Sequence, residues 1–210
     1  AYLIRGSDMT RTRLPILAGC GPKRLIEAGK TPSMLVESFF RSHMNSPHYQ
    51  VMCTWGLSGA IRANFSPDIY IWVDALGNSE LSSEIATSLP GTSTVLTTTL
   101  AEAFAVADWV TQHQLERQQR LSVLVVCADE KTHSIADQLA AGAVIDRLAN
   151  NGLDAMSPEA AVANAAYTQL KRATTHLIKA SEAAKTVAEL PTHLSVDETL
   201  PTDSVRVLRK

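Results

Sequence analysis

From residue 49 onward, short apolar segments alternate with longer segments of helical spacing. The apolar segments are YQVMCTW, DIYIWVDAL, TSTVLTTT and LSVLVVCA, and DIYIWVDAL is apolar on both faces, as a central strand would be. The longest segment between them, LAEAFAVADWVTQHQLERQQR, has the spacing of an amphipathic helix. Strands that alternate with helices indicate a mainly parallel sheet covered by helices, so the predicted fold class is α/β.

After the fourth strand the pattern is mostly helical. A helix is predicted from Ser134 to Asn150, capped by Asn151-Gly152, and the alanines and glycine at 140–143 let it pack closely. Ser157-Pro158-Glu159 opens another helix, with serine as the N-cap and proline in the first turn. This helix is predicted to break near Lys179. The segment SVRVL close to the end of the sequence is a strand candidate.

The first 33 residues differ from the rest, because glycine and proline turn signals interrupt them. We interpret 1–33 as an N-terminal extension whose origin the pattern leaves open, and 34–210 as a single α/β domain. A helix is expected over 31–43. Basic residues near the start have no aromatic residues between them, so we interpret them as a solvated end.

Composition narrows the classes of function. The 210 residues are 45% hydrophobic and 19% charged, as in a globular protein, and a formal net charge of -2 gives no reason to expect nucleic acid as a partner. No apolar run reaches the ~18 residues of a membrane span, so no membrane association is expected. Three cysteines without metal spacing are not a disulfide framework, which favours a reducing, cytoplasmic location.

Candidate chemistry lies at the ends of the second and fourth strands. Asp74 closes IYIWVDA, and Asp129 and Glu130 follow the fourth strand. The carboxyl ends of parallel strands face the crevice in which α/β sheets bind ligands. If the two strands are neighbours, Asp74, Asp129 and Asp137 converge, and such carboxylates suit Mg²⁺, which keeps waters for a phosphate. Asp137 lies in the first turn of a helix, so a favourable interaction with the helix dipole explains it equally well.

Other polar groups near these strands have two interpretations each. His133 could act as an acid or base or bind a phosphate oxygen, and it could also be a solvated loop side chain. Asn78 and Ser79 could bind an anion, and Ser79 could be an ordinary N-cap. Cys127 is better explained as a buried structural cysteine than as a nucleophile, because its acidic neighbours would raise the pKa of the thiol.

The segment VLVVCADEKTHSIADQLAAGAVIDRL resembles the part of the 2-phosphosulfolactate phosphatase (ComB-like) family that follows the pattern V-C-A-G…E-D-x-L-A-A-G-A-x-x-D-R-L. IYIWVDAL, preceded by TWGLSGA, is similar to the family's early strand V-V-V-D-V-L, and PGTSTVLTTTLAEAFAVADWV is similar to its next β-α unit. The resemblance implies a three-layer α/β/α fold and Mg²⁺-dependent hydrolysis of a phosphate ester of a small sulfonated hydroxy acid. By position, Asp74, Asp137 and Asp146 match family aspartates, and Cys127 matches the family cysteine.

The chain also departs from the family pattern and looks like a divergent, shortened member. Gly77-Asn78-Ser79 stand where the family has an arginine followed by threonines, Ala136 replaces a glutamate, and a glycine-rich G-E-R segment is missing. A late S-H-G element would fall on Ser181-Glu182-Ala183, without its histidine. Loss of the arginine removes a bidentate contact to phosphate. Cationic contacts would then have to come from Arg62, Lys131 or the basic N-terminus.

Two functions therefore stay open, of which we favour the first. The first is a phosphatase, a phosphoric monoester hydrolase that acts with Mg²⁺ on a small anionic phosphoester of the 2-phosphosulfolactate type. The second is a catalytically inactive ComB-like module for binding or assembly. The expected partner is a small phosphorylated anion, and a homodimer is one assembly that fits. The candidate residues are Asp74, Asp137 and His133 as catalytic groups, Asn78, Ser79 and Lys131 as substrate ligands, and Asp74, Asp129 and Asp137 as Mg²⁺ ligands.

Overall fold

The computed structural model describes residues 48–63, 66–77, 82–131 and 133–210. Five strands form one sheet: β1 (Val51–Trp55), β2 (Ile69–Val73), β3 (Thr94–Thr98), β4 (Val123–Cys127) and β5 (Arg206–Arg209). Their order across the sheet is β1-β4-β2-β3-β5; the first four strands are parallel, and β5 runs antiparallel to β3. The prediction of an α/β fold with a mainly parallel sheet is confirmed.

Helices cover both faces of the sheet. They are α1 (Gly56–Arg62), α2 (Ser82–Ser88), α3 (Ala103–Arg117), α4 (Ile135–Asn150), α5 (Pro158–Leu170), α6 (Thr174–Ala180) and α7 (Glu182–Thr186). One apolar cluster joins the sheet to α3, α4 and α5, and a second joins it to α1 and α2. Because successive side chains of a strand point to opposite faces, the two clusters lie on opposite sides of the sheet and give three layers.

The three inner strands are buried at every position, which explains why β2 and β4 are apolar on both faces in the sequence. β4 lies between β1 and β2, and Val73 of β2 is in register with Cys127 of β4. The condition for the predicted convergence of the two strand ends is therefore met. The residues that follow β2 and β4 leave the sheet side by side.

Small residues in α4 allow close contact with α5. A Cβ added at Gly142 would overlap the carbonyl oxygen of Ala163 and would lie 2.6 Å from the Cβ of Tyr167. Such a separation is far below an ordinary van der Waals contact. The prediction that the run at 140–143 serves helix packing is confirmed.

The C-terminal half follows most of the predicted boundaries. The Ser157 hydroxyl accepts a hydrogen bond from the Ala160 amide at 3.2 Å, and Pro158 occupies the first turn of α5, as predicted. The helix ends after Ala180, close to the predicted break at Lys179, but it is also interrupted earlier by a 3₁₀ turn over Lys171–Ala173. No glycine or proline marks that interruption, so the pattern carried no signal for it. The predicted strand SVRVL corresponds to β5.

Several predictions fall outside the described residues, namely the extension over 1–33, the helix over 31–43, and the roles of Asn78 and Ser79. Within the described part of the chain, no helix combines the length and the apolar character that a membrane crossing requires.

Candidate active site

The side chain of Asp137 joins the ends of β2 and β4. Its Oδ1 accepts a hydrogen bond from the backbone amide of Ala75 at 2.9 Å, and its Oδ2 accepts one from the amide of Asp129 at 3.0 Å. Asp137 lies in the first turn of α4 and is only 5% exposed. One buried carboxylate therefore fixes the start of α4 against both strand ends, at the edge where α/β sheets bind ligands.

Three carboxylates share this edge of the sheet. Burial raises the pKa of Asp137 to about 6, its two backbone hydrogen bonds oppose the rise, and the charges of Asp74 and Asp129 add to it. The edge is therefore a region of concentrated negative charge.

Asp74 and Asp129 each begin a tight turn and are partly exposed. The Asp74 Oδ1 accepts a hydrogen bond from the Gly77 amide at 3.0 Å, and the Asp129 Oδ1 accepts one from the Lys131 amide at 3.0 Å. Aspartate commonly closes turns in this way. Gly77 has a φ of +69°, in the left-handed region that favours glycine. Both carboxylates are thus oriented by hydrogen bonds within their own turns.

The loop between β4 and α4 contacts the corner between β1 and α1. The Ser58 amide donates to the Glu130 Oε2 at 3.3 Å, and the Ser58 hydroxyl donates to the Glu130 Oε1. The His133 ring lies edge-on to the Trp55 ring, with 5.0 Å between the ring centroids. Sequence reasoning named Glu130 and His133 and missed Ser58 and Trp55. The only local signal was the Trp-Gly pair that ends β1.

The predicted substrate ligand Lys131 and the predicted catalytic residue His133 both lie on this loop and are exposed. The loop therefore brings Asp129, Lys131 and His133 to the same edge of the sheet as Asp74. His133 faces the β1 end of this edge, since its ring contacts Trp55.

The family model for 2-phosphosulpholactate phosphatase matches residues 82–210. The chain belongs to this family. No curated protein matches the chain, and no solved structure does. The matched part contains Asp129, Asp137 and the loop between them, whereas Asp74 and the corner between β1 and α1 precede it. Membership indicates a phosphatase-like function for the chain.

The cysteine that resembles the family's own, Cys127, is fully buried at the end of β4. A hydrogen bond with the Cys53 thiol, burial and the charge of Asp137 raise the pKa of Cys127 well above its usual value. Its Sγ lies 3.8 Å from the carbonyl oxygen of Asp137. Such surroundings disfavour the thiolate, and the predicted burial of Cys127 is confirmed.

Two residues considered in the sequence lie away from this edge. Asp146, which resembles the aspartate of the family's D-R-L, lies nine residues beyond Asp137 on α4, about 13 Å along the helix axis. There burial raises the pKa of Tyr167 to about 12, and the charge of Asp146 adds to this effect. Arg62 lines an open cleft together with Ser157 and Glu159. Neither residue joins the carboxylates at the strand ends.

The donors at this edge are carboxylate oxygens, the ligand type that hard cations such as Mg²⁺ take. Among the described residues, no group of three or more His, Cys, Asp and Glu side chains is arranged to hold a metal ion. Mg²⁺ usually binds through one or two carboxylates and completes its shell with waters and substrate phosphates. The carboxylates of Asp74 and Asp129 are partly exposed at this edge and are of that ligand type.

Proposed function

We propose that the protein is a Mg²⁺-dependent phosphatase that hydrolyses a small anionic phosphoester of the 2-phosphosulfolactate type. The observation that carries the proposal is the buried Asp137 carboxylate, which binds the backbone beyond β2 and β4 and brings Asp74 and Asp129 to one edge. Membership of a phosphatase family supports hydrolysis of a phosphate ester at this edge.

Electrostatics gives the reason for the metal. A phosphate ester is an anion, and an edge that carries the charges of Asp74, Asp129 and Asp137 repels it unless a cation intervenes. Mg²⁺, when bound, supplies the positive charge that neutralises the phosphate oxygens and the charge that develops on the leaving oxygen. Asp74 and Asp129 would hold it through their partly exposed oxygens. The Asp137 carboxylate would contribute its negative charge from its buried position.

The loop between β4 and α4 supplies the remaining groups. Lys131 is exposed next to Asp129, so its ammonium group can approach a phosphate bound at the edge. His133 is exposed on the same loop and, in its protonated form, can give a proton to the leaving alkoxide. Asn78 and Ser79 stay predicted substrate ligands.

The inactive binding or assembly module is the second candidate. Both oxygens of Asp137 accept backbone hydrogen bonds, so a purely structural role would account for its burial. The chain also lacks the arginine that would clamp a phosphate after the second strand.

The test is phosphate release from 2-phosphosulfolactate and from a panel of small phosphoesters, with Mg²⁺ varied and then removed by a chelator. The variants are Asp74→Asn and Asp129→Asn. Asp154→Asn is the matched control, because Asp154 is an exposed aspartate in the loop after α4. We expect Mg²⁺-dependent release from the parent and the control. We expect a loss on the order of 100-fold or more in the two variants.

Thermal unfolding with and without Mg²⁺ separates the two candidates. A ligand that binds only the folded state raises its stability by RT ln(1 + [L]/Kd). If Mg²⁺ raises the Tm of the parent and no phosphate is released from any ester, the binding module is correct. If millimolar Mg²⁺ changes neither the Tm nor phosphate release, the metal-dependent phosphatase is excluded.

A further inference from the structure

Two contacts hold the loop between β4 and α4 against the corner between β1 and α1. In the first, the Glu130 carboxylate accepts hydrogen bonds from the amide and the hydroxyl of Ser58. In the second, the rings of Trp55 and His133 meet at a centroid distance of 5.0 Å and an interplanar angle of 64°. We call these two contacts the clasp.

The corner is shaped to receive Glu130. Gly56, between Trp55 and Ser58, has a φ of +62°, which a residue with a side chain rarely adopts. A Cβ added at Gly56 would overlap both the Cβ and the Oε2 of Glu130. Glycine therefore permits the turn and leaves the space that Glu130 fills.

The loop held by the clasp has two features that cost free energy. His133 has a φ of +50°, in the left-handed region, although it is not glycine. The Ser134 hydroxyl is buried and makes no hydrogen bond with the described part of the chain. Sparsely populated backbone conformations and unpaired buried polar groups persist where the surroundings impose them, and they cluster at functional sites.

The position of the loop determines where the proposed active-site groups lie. Asp129 precedes Glu130, Lys131 follows it, and His133 is itself part of the clasp. A displacement of Glu130 would therefore move the groups on either side of it. Asp137 contacts this loop through the Asp129 amide, which fixes the start of the loop.

We propose that Ser58 and Trp55 are positioning residues, which hold the loop so that Asp129, Lys131 and His133 face the phosphate at the edge of the sheet. This role rests on the proposed phosphatase function. Both residues precede the part of the chain that matches the family model, so the corner supports the family's loop from outside the matched region.

The test compares Ser58→Ala and Trp55→Ala with the conservative variants Ser58→Thr and Trp55→Phe. Ser204→Ala is the matched control, because Ser204 is exposed, bonds only the nearby Pro201 carbonyl oxygen, and precedes β5 at the other end of the strand order. Rates are measured as kcat and KM for Mg²⁺-dependent phosphate release. The position of the loop is measured by NMR as the chemical shift of the His133 imidazole proton, which the ring current of Trp55 changes. The His133→Gln variant serves to assign this resonance.

We expect Ser58→Ala and Trp55→Ala to lower kcat/KM at least about tenfold, mostly through kcat, because small misplacements of catalytic groups slow the chemical step. We expect Ser58→Thr and Trp55→Phe to recover most of the rate, and the control to match the parent. In Ser58→Ala the His133 resonance should move toward the position of a solvated histidine, with an unchanged far-ultraviolet circular dichroism spectrum.

A Ser58→Ala variant with parental kcat/KM and a parental His133 resonance would overturn the role of Ser58. A Trp55→Ala variant with parental kcat/KM would overturn that of Trp55. If the parent releases no phosphate, the proposed function fails by itself. The His133 resonance then still decides whether Ser58 fixes the loop, since that measurement needs no substrate.

Discussion

Arg147 of α4 forms a two-point ion pair with Asp108 of α3: the Nε donates to Oδ1 at 2.7 Å and the Nη2 donates to Oδ2 at 2.8 Å. The side-chain amide of Asn151 donates to the same Oδ1 at 2.8 Å, and the guanidinium lies 5.3 Å from the centre of the Phe104 ring. The arginine of the family-like D-R-L segment therefore joins two helices and is committed to the structure rather than to a phosphate.

Replacing Arg147 by alanine should lower the free energy of unfolding by about 1 kcal/mol, since the pair is bidentate but partly exposed to screening solvent. Burial raises the pKa of Asp108, but hydrogen bonds from Arg147 and Asn151 and the charge of Arg147 outweigh it, so the pKa is lowered overall. The contribution of the pair should thus be present at neutral pH and be lost as the pH falls below about 4.

Urea unfolding at pH 7 and at pH 3 measures both effects, with Arg172→Ala as a control for loss of an exposed arginine. Equal free energies of unfolding for Arg147→Ala and Arg172→Ala at pH 7 would contradict the assignment of the pair.

Ionisation of Asp137 should destabilise the folded protein in the absence of metal. Because the folded pKa of Asp137 is about 6, against 3.8 for an ordinary aspartate, the folded state binds this proton more tightly than the unfolded state. Stability should therefore fall as the pH rises from about 4 to about 6, by up to about 3 kcal/mol. Asp137→Asn has no such proton, so its unfolding free energy should lack this decrease.

The measurement is urea unfolding between pH 4 and pH 7 in a chelator, for the parent, Asp137→Asn and the exposed control Asp154→Asn. The control should run parallel to the parent. Parallel curves for the parent and Asp137→Asn would show that the carboxylate is not buried as described.

A larger side chain at position 142 should disturb the contact between α4 and α5. Gly142→Leu is expected to cost ~1–3 kcal/mol of stability, because the added atoms meet the backbone of Ala163 and the Cβ of Tyr167. Ala161→Leu is the control, since it adds the same bulk on an exposed face of α5 and should change stability by less than about 0.5 kcal/mol. Equal melting temperatures for the two variants would rule out the close contact.

Cys127 should resist thiol reagents in the folded protein. Its Sγ is fully buried and its thiol pKa is raised, so labelling requires an opening of the structure and should be on the order of 100-fold or more slower than in the unfolded chain. Iodoacetamide labelling at neutral pH, followed by peptide mass spectrometry with and without denaturant, gives both rates. Rapid modification of Cys127 under native conditions would contradict the buried position.

The local pattern of polarity predicted the elements of the fold because the burial of a residue is reflected in its own polarity. β2 and β4 are apolar on both faces because helices cover both faces of the sheet, and Ser157-Pro158 signals a helix start that the structure confirms. The interruption at Lys171–Ala173 had no such signal in the local sequence. A turn made without glycine or proline depends on contacts with other parts of the chain, and one such contact is the Lys171 ammonium over the ring of Phe104.

For the site, residue types and their order along the chain indicated which groups could carry chemistry: acidic side chains at strand ends, a loop with His133 and Lys131, and an aspartate in the first turn of a helix. The folded arrangement added that β4 lies beside β2, that Asp137 accepts hydrogen bonds from the ends of both strands, and that Ser58 and Trp55 contact the loop. These contacts could not be predicted locally because the residues that make them lie far apart along the chain. Ser58 and Glu130 are 72 residues apart, and local patterns of polarity record the burial of each residue but not the partner that buries it.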